Sequence, residues 1–194
     1  MAGVRQFDEE KTLDRALEVF WRKGLGATSM LDLAQATGVQ RGSLYNAYQN
    51  KEALFLRVFD RYKSKMLADI RASLDQPSVD TALRNFFDFT IGSMTWGAPT
   101  RGCLTTKAAV DENADLQVIR GALQGMLDNM EQLLIQRLQA DDAHSRLTLT
   151  PAEAARLIVT FTRGIVVIER IYPEVERLRD TAGLIIKVLL APLP

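Results

Sequence analysis

The chain has 194 residues, of which 47% are hydrophobic and 25% charged, and its formal net charge is zero. This composition excludes a disordered chain, and no apolar run is long enough to span a bilayer. One cysteine excludes an internal disulfide, and the N-terminus lacks the apolar segment of a secretory signal, so we expect a cytoplasmic protein without a membrane partner.

The zero net charge hides an uneven distribution. Residues 1–65 contain eleven Lys or Arg and eight Asp or Glu, whereas residues 66–194 contain thirteen and sixteen. The N-terminal third is therefore slightly basic, which favours a polyanionic partner for that part of the chain.

Helical spacing of apolar residues dominates the sequence, and few segments alternate as strands do. The N-terminal part is predicted to hold four helices: one that stops at Gly24, a short one capped by Ser29, another over residues 41–47, and a longer one capped by Asn50.

Five further helices are predicted after Pro77, which marks the boundary between two lobes. Thr150, Pro151 and Glu153 form the clearest start signal, because they supply a cap, a first-turn proline and a capping-box carboxylate. The expected positions are residues 78–97, a helix from about 101, then 115–139, 151–172 and 174–190. We therefore predict an all-α fold with about nine helices.

Ala34, Gly38 and Leu44 have the spacing of a helix-turn-helix. A small residue suits the helix crossing, glycine permits the left-handed backbone of the turn, and Leu44 anchors the second helix in the core. If Leu44 faces inward, the outward face of that helix carries Gln40, Arg41, Ser43 and Asn46, with Tyr45 at its edge.

This outward face suits DNA. Arginine and glutamine side chains read base edges in the major groove, and hydroxyls and amides hold phosphates. Gly42 permits close approach of the backbone to a phosphate, whereas Tyr48 is expected in the core. Further phosphate contacts are expected from Thr28 and Ser29 at a helix N-terminus and from Lys51.

The stretch GLGATSMLDLAQATGVQRGSLYNAYQNKEALF resembles the DNA-binding domain of the TetR family of transcriptional repressors. The matching features are TSM, LAQATGV, RGSLYNAY and KEALF, and the sequence departs from the family pattern at Asn46 and Tyr48. The resemblance implies a three-helix helix-turn-helix domain over residues 1–50, a connecting helix over 51–76, and a helical ligand-binding and dimerisation domain over 77–194. It also implies repression of a palindromic DNA operator and release by a small-molecule effector.

A homodimer is expected because a monomer with so few basic residues would bind DNA weakly in salt. The last two helices are apolar on more than one face, and the resemblance implies that two such helices from each subunit form a four-helix bundle. The alternative is that they are central to their own core. Candidate interface residues are Ile158, Ile165, Ile168, Leu178, Ile185 and Leu189.

Aromatic and methionine side chains in the C-terminal part are candidates for lining an apolar effector pocket, with an ordinary core as the alternative. They are Phe86, Phe89, Met94, Trp96, Met126, Met130 and Phe161.

Cys103 is a further candidate in that pocket. The sequence predicts that it lies in the first turn of a helix near Arg101 and Lys107, where the helix dipole and positive charge lower a thiol pKa. It is therefore a candidate sensor of electrophiles or oxidants, or else an inert buried thiol.

Two other functional classes are an enzyme and a protein–protein adaptor. The one histidine, His144, has too few neighbouring ligands for a metal site, and no catalytic arrangement or phosphate loop is visible, so we expect no enzyme, no metal and no cofactor. The remaining alternative is a helical protein–protein adaptor with secondary DNA binding.

Overall fold

The structure is a computed structural model, in which residues 7–97, 100–111 and 116–192 are described. These residues form ten helices: α1 Glu9–Lys23, α2 Met30–Thr37, α3 Arg41–Tyr48, α4 Lys51–Leu74, α5 Val79–Thr95, α6 Leu104–Ala109, α7 Gln117–Leu138, α8 Asp141–His144, α9 Pro151–Glu169 and α10 Val175–Leu189. One isolated antiparallel bridge joins Leu147 to Leu190. The all-α prediction is confirmed.

The additional helix is α8, a single turn within a segment that the sequence predicts to be a polar loop. Asp115, the expected start of the long helix α7, lies outside the described residues. α6 begins at Leu104 instead of near Arg101, because the backbone at Gly102 has φ 66° and does not continue a helix.

The helices form two compact units. The first unit consists of Met1–Ser64 and Leu104–Gln124, and the second of Lys65–Cys103 and Gly125–Pro194. The functional boundaries expected near residues 50 and 76 stay a prediction.

An aromatic cluster forms the centre of the first unit. Phe20 of α1 meets Phe55 of α4 edge to face, with ring centroids 5.2 Å apart, and Phe55 stacks on Phe59 at 5.6 Å. All three rings are buried. Burial of each such side chain stabilises the fold by roughly 1.5–3 kcal/mol, so the cluster holds α1 against α4.

The start of α2 is the capping box that the sequence predicts. Ser29 Oγ accepts a hydrogen bond from the Asp32 N–H at 3.1 Å, and the Asp32 carboxylate accepts one from the Ser29 N–H at 2.9 Å. Hydrogen bonds from the Lys23 ammonium and from Ser29 lower the pKa of Asp32 from 3.8 to about 2. Asp32 is therefore ionised at neutral pH and stabilises the helix start.

Gly38 forms the turn between α2 and α3. Its backbone is left-handed, with φ 72° and ψ 11°, and its N–H donates to the Ala34 carbonyl at 3.0 Å. Arg15 braces the turn from α1, because its Nη1 donates to the Thr37 carbonyl at 2.9 Å. The predicted role of Gly38 is confirmed.

The second unit is built around α5, α9 and α10, which pack on one another. α9 begins at the predicted Thr150–Glu153 capping box with Pro151 in its first turn. None of the helices, as far as the structure describes them, is long and apolar enough to cross a membrane. In the second unit, hydrogen bonds from the Arg137 side chain are the main cause that lowers the pKa of Asp142.

We predict that Gly38→Ala lowers the free energy of unfolding by about 1–2 kcal/mol, because a side chain disfavours the left-handed backbone there. Gly42→Ala is the matched control: a Cβ at Gly42 meets nothing within 4 Å, and alanine is a better helix former, so it raises the same quantity by up to about 1 kcal/mol. Urea unfolding followed by circular dichroism measures both, and equal effects of the two substitutions would contradict the assignment.

Candidate nucleic-acid interface

The two faces of α3 differ in burial. Leu44 is 0% and Tyr48 4% exposed, so both lie in the core of the first unit, as predicted. Gln40, Arg41, Gly42, Tyr45 and Asn46 are exposed, and Ser43 is half-buried. The predicted outward set therefore shares one solvent-facing surface, which we call the α3 face.

Arg41 and Tyr45 contact each other on the α3 face. The Arg41 guanidinium carbon lies 5.4 Å from the Tyr45 ring centroid, and Nη2 is 3.4 Å from the Tyr45 hydroxyl. A cation–π contact of this kind restricts the arginine rotamers. Arg41 therefore loses less side-chain entropy when it binds a partner than a freely rotating arginine would.

No group in the described part of the first unit explains Gly42. It is the second residue of α3 and its φ is not in the left-handed region, and the space around its missing side chain is open. Glycine destabilises a helix by about 1 kcal/mol relative to alanine. The fold alone gives no reason for glycine here, whereas close approach of another molecule to the α3 backbone does.

Charge on the α3 face is compatible with a polyanion. The helix RGSLYNAY contains one arginine and no acidic residue. The Gln40 side chain precedes the helix and makes no capping hydrogen bond, so it is not committed to holding the helix start. The positive end of the helix dipole lies at the same terminus.

Thr28 is wrongly placed by the sequence prediction. Its side chain is 2% exposed and its hydroxyl donates to the Gly24 carbonyl at 2.5 Å. Its N–H also donates to the Leu25 carbonyl at 3.3 Å. Because both donors are used within the turn, the expected phosphate contact of Thr28 is corrected to a structural role. Ser29 is exposed but bonded to Asp32, and its phosphate contact stays a prediction.

Lys51 also has an intramolecular role that the sequence did not reveal. Its ammonium donates to the carbonyls of Leu25 and Gly26, each at 3.0 Å. From the other side, Asp111 Oδ2 accepts a hydrogen bond from the Gly26 N–H at 2.9 Å. Two of the three ammonium donors therefore fix the turn that precedes α2, and the expected contact of Lys51 with phosphate stays a prediction.

The candidate dimer residues lie mostly on the wrong side of their helices. Ile158, Ile165, Leu178 and Leu189 are between 0% and 4% exposed, which places them in the core of the second unit. Ile168 is exposed and Ile185 half-buried. Periodicity failed because α9 and α10 are apolar on both sides, and only packing against α5 shows which side is internal.

The opposite sides of α9 and α10 form an exposed apolar surface, which we call the α9–α10 stripe. On α9 the exposed members follow spacings of seven and four residues, and on α10 they are four residues apart. The members are Leu157, Gly164 and Ile168 on α9, Ile171 in the turn just after α9, and Leu184 and Val188 on α10.

The pocket candidates divide into buried and surface residues. Phe86, Met94, Met126 and Met130 are at most 2% exposed and are part of the core of the second unit. Phe89 and Phe161 are half-buried, and Phe161 meets Phe87 edge to face at 5.8 Å. Trp96 is 64% exposed and lies under the Arg101 guanidinium at 4.4 Å, so its assignment to a buried pocket is wrong.

Cys103 is half-buried and directly precedes α6, so it is not in the first turn of that helix. Its sulfur lies 3.2 Å from Nη1 of Arg163 on α9. The two basic residues expected beside it are directed elsewhere: Arg101 stacks on Trp96, and Lys107 donates to the Trp21 carbonyl. Arg163 was missed because it is 60 residues away in sequence.

Known proteins resemble this chain in sequence. A profile of the family described as bacterial regulatory proteins, tetR family, matches residues 13–58. The HTH-type transcriptional repressor ComR of Escherichia coli K12 is 29% identical over 91% of this chain and 86% of ComR. An HTH-type transcriptional regulator of Bacillus subtilis, YezE, is 31% identical over 58% of each chain.

Solved structures resemble it in fold. A cysteine mutant of the TetR family transcriptional regulator CifR, complexed with 26-bp double-strand operator DNA, matches with a TM-score of 0.85 and 26% identity, covering 97% of this chain and 100% of CifR. The reduced form of E. coli NemR matches with a TM-score of 0.84 at 20% identity, over 95% and 98% of the two chains.

The helix-turn-helix geometry of α2 and α3, the matching profile over the same residues and the full-length relatives agree with one another. Residues 13–58 therefore match the DNA-binding domain of the TetR family, and the chain is a DNA-binding transcriptional regulator.

Proposed function

We propose that this regulator is a cytoplasmic, homodimeric repressor without enzymatic activity. Each subunit places α3 in the major groove of one half of a palindromic operator. An effector that acts on the second unit releases the DNA. Two relatives support the proposal: ComR is named a repressor, and CifR was solved with operator DNA.

The α3 face is the observation that carries this proposal. Its polar side chains are exposed on one side of a short helix whose opposite side is fixed in the core by Leu44. Arg41 is the candidate base reader, because a guanidinium donates two hydrogen bonds to guanine. Gln40 and Asn46 are the other candidate readers, and Ser43, Tyr45 and the N-terminus of α2 at Ser29 are candidates for phosphate contacts.

We predict that Arg41→Ala weakens binding to the operator by about 1–3 kcal/mol and binding to a scrambled duplex by less. The operator is first located by footprinting the DNA upstream of the protein's own gene. Fluorescence anisotropy at one fixed salt concentration then gives both affinities, because protein–DNA affinity depends steeply on salt.

Two variants serve as controls for this measurement. Arg156→Ala removes the same charge from a side chain that is 74% exposed on α9, and it should leave both affinities unchanged. Gly42→Ala keeps every charge and should weaken both duplexes, because it adds a methyl group where the backbone meets phosphate. If Arg41→Ala changed neither affinity, the result would favour the alternative function, a helical protein–protein adaptor with secondary DNA binding.

The α9–α10 stripe supports the proposed homodimer. Val188 is 63% and Leu184 60% exposed, and Ile171, in the turn just after α9, is 66% exposed. Exposed apolar residues aligned at three- and four-residue spacing are typical of a helix–helix seam. A second copy of the same stripe is complementary to it through a two-fold axis, which also matches the symmetry of a palindromic operator.

We predict that Val188→Glu raises the dimer dissociation constant by roughly tenfold or more, because it places a carboxylate in an apolar interface. Analytical ultracentrifugation across a concentration series measures the effect. Val118→Glu, at another exposed valine that is 61% exposed on α7, is the control. Equal sedimentation of all three proteins would rule out this interface.

The effector acts by favouring one shape of the protein over another, since a ligand shifts an equilibrium only through its different affinities for the two states. α4 runs from the first unit into the second and is the proposed lever. A thiol-reactive effector is a specific candidate, because the Arg163 guanidinium against Cys103 stabilises the thiolate, which is the reactive form.

We predict that Cys103→Ser keeps the operator affinity of the wild type but no longer responds to a mild electrophile. Footprinting with reduced and with electrophile-treated protein provides the measurement. A variant that still releases DNA after treatment would exclude Cys103 as the sensor and leave a reversible ligand of the second unit.

A further inference from the structure

Glu169, the last residue of α9, is a buried charged residue without a partner. It is 1% exposed, and neither carboxylate oxygen has a hydrogen-bond partner. Within residues 7–97, 100–111 and 116–192, it is the only Asp, Glu, Lys, Arg or His that is buried.

α5 and α10, which pack on α9, bury no charged residue. Glu169 shares the buried face of α9 with Thr162, Ile165 and Val166. The residues that α5 and α10 bury are aliphatic, aromatic or hydroxyl-bearing, apart from the thioether Met94. Glu169 is therefore an acidic group on an otherwise uncharged buried helix face.

The two arginines closest to Glu169 in sequence make other contacts. Arg163 contacts Cys103 Sγ and donates to Thr162 Oγ1. Arg170 Nη1 lies 3.4 Å from the position that a Cβ on Gly102 would take. Both side chains therefore reach the loop before α6, and neither donates a hydrogen bond to the Glu169 carboxyl oxygens.

A buried carboxyl group without a hydrogen-bond partner destabilises the fold, because its lost contacts with water are not replaced. Apolar residues of similar volume at such positions often stabilise a protein. Buried polar groups that stay unpaired call for an explanation beyond stability, and a ligand that supplies the missing positive charge is such an explanation.

We propose that Glu169 is the recognition anchor of the effector site, and that the effector is an apolar molecule carrying a positively charged nitrogen. The inference rests on the proposed function, since it names the chemical class of the ligand that releases DNA. An anion is excluded by repulsion. A metal ion is disfavoured because the described residues contain no group of three His, Cys, Asp or Glu that could hold one.

The anchor is closed in the ligand-free protein, because the Glu169 side chain is almost completely buried. Binding therefore requires the surrounding helices to open. The ligand stabilises the opened conformation through an ion pair with Glu169. It therefore binds the opened conformation more tightly than the closed one, and this difference in affinity is what release of DNA requires.

The test uses phenyltrimethylammonium and its uncharged counterpart of the same shape, tert-butylbenzene, with the full-length protein. We expect the wild type to bind the cation at least about tenfold more tightly than the neutral molecule, as a charged hydrogen-bond or ion-pair partner provides. Glu169→Gln should remove this preference, and Glu174→Gln, at an exposed carboxylate near the start of α10, should keep it.

Thermal unfolding without ligand distinguishes the proposal from a structural ion pair, because removing one partner of such a pair would lower the Tm. We expect Glu169→Met to raise the Tm, because it replaces a buried carboxyl group without a hydrogen-bond partner by an apolar side chain of similar length. If Glu169→Gln does not fold, Glu169→Met also replaces it in the binding measurement. Equal binding of cation and neutral molecule by the wild type, or an unchanged preference in the Glu169 variant, would overturn the inference.

Operator binding without any cation separates this inference from the proposed function. A wild type that binds the operator but shows no preference for the cation refutes the Glu169 anchor alone. A wild type that binds no operator refutes the proposed repressor itself.

Discussion

The fully buried Leu44 side chain sets the rotation of α3 about its own axis, and the surface chemistry of the first unit depends on that rotation. A helix of eight residues has few contacts with which to hold its orientation. Leu44 and Tyr48 supply them on one side, and the left-handed turn at Gly38 sets the direction from which the chain enters. Arg41, Tyr45 and Asn46 face solvent as a consequence, and Gly42 is left as a gap on that surface.

The turn before α2 shows how the same unit uses polar side chains internally. Lys51 holds the Leu25 and Gly26 carbonyls while Asp111 holds the Gly26 N–H, so the turn is fixed by residues from α4 and from the segment after α6. Basic residues in a DNA-binding domain are readily assigned to phosphate. Here Lys51 uses two hydrogen bonds within the protein to hold the turn before α2, in the same unit that carries the α3 face.

In the second unit, α9 and α10 are each apolar on two sides. One side packs within the unit, and the other forms the α9–α10 stripe. The proposed two-fold dimer would bury that second side without any further partner. Glu169 interrupts the internal side with a carboxyl group whose oxygens have no hydrogen-bond partner among the described residues, so the interior of this unit is not optimised for stability alone.

The sequence by itself determined the helical class, most helix starts and the helix-turn-helix, because capping boxes at Ser29 and Thr150, the glycine at position 38 and the 3.6-residue period are local signals. The outward direction of Arg41 followed from the same local geometry. Only the tertiary structure decided which face of α9 is internal, that Thr28 and Lys51 serve the turn, and that Arg163 meets Cys103. Those facts depend on contacts between residues far apart in the chain, and spacing along one helix carries no information about what packs against it.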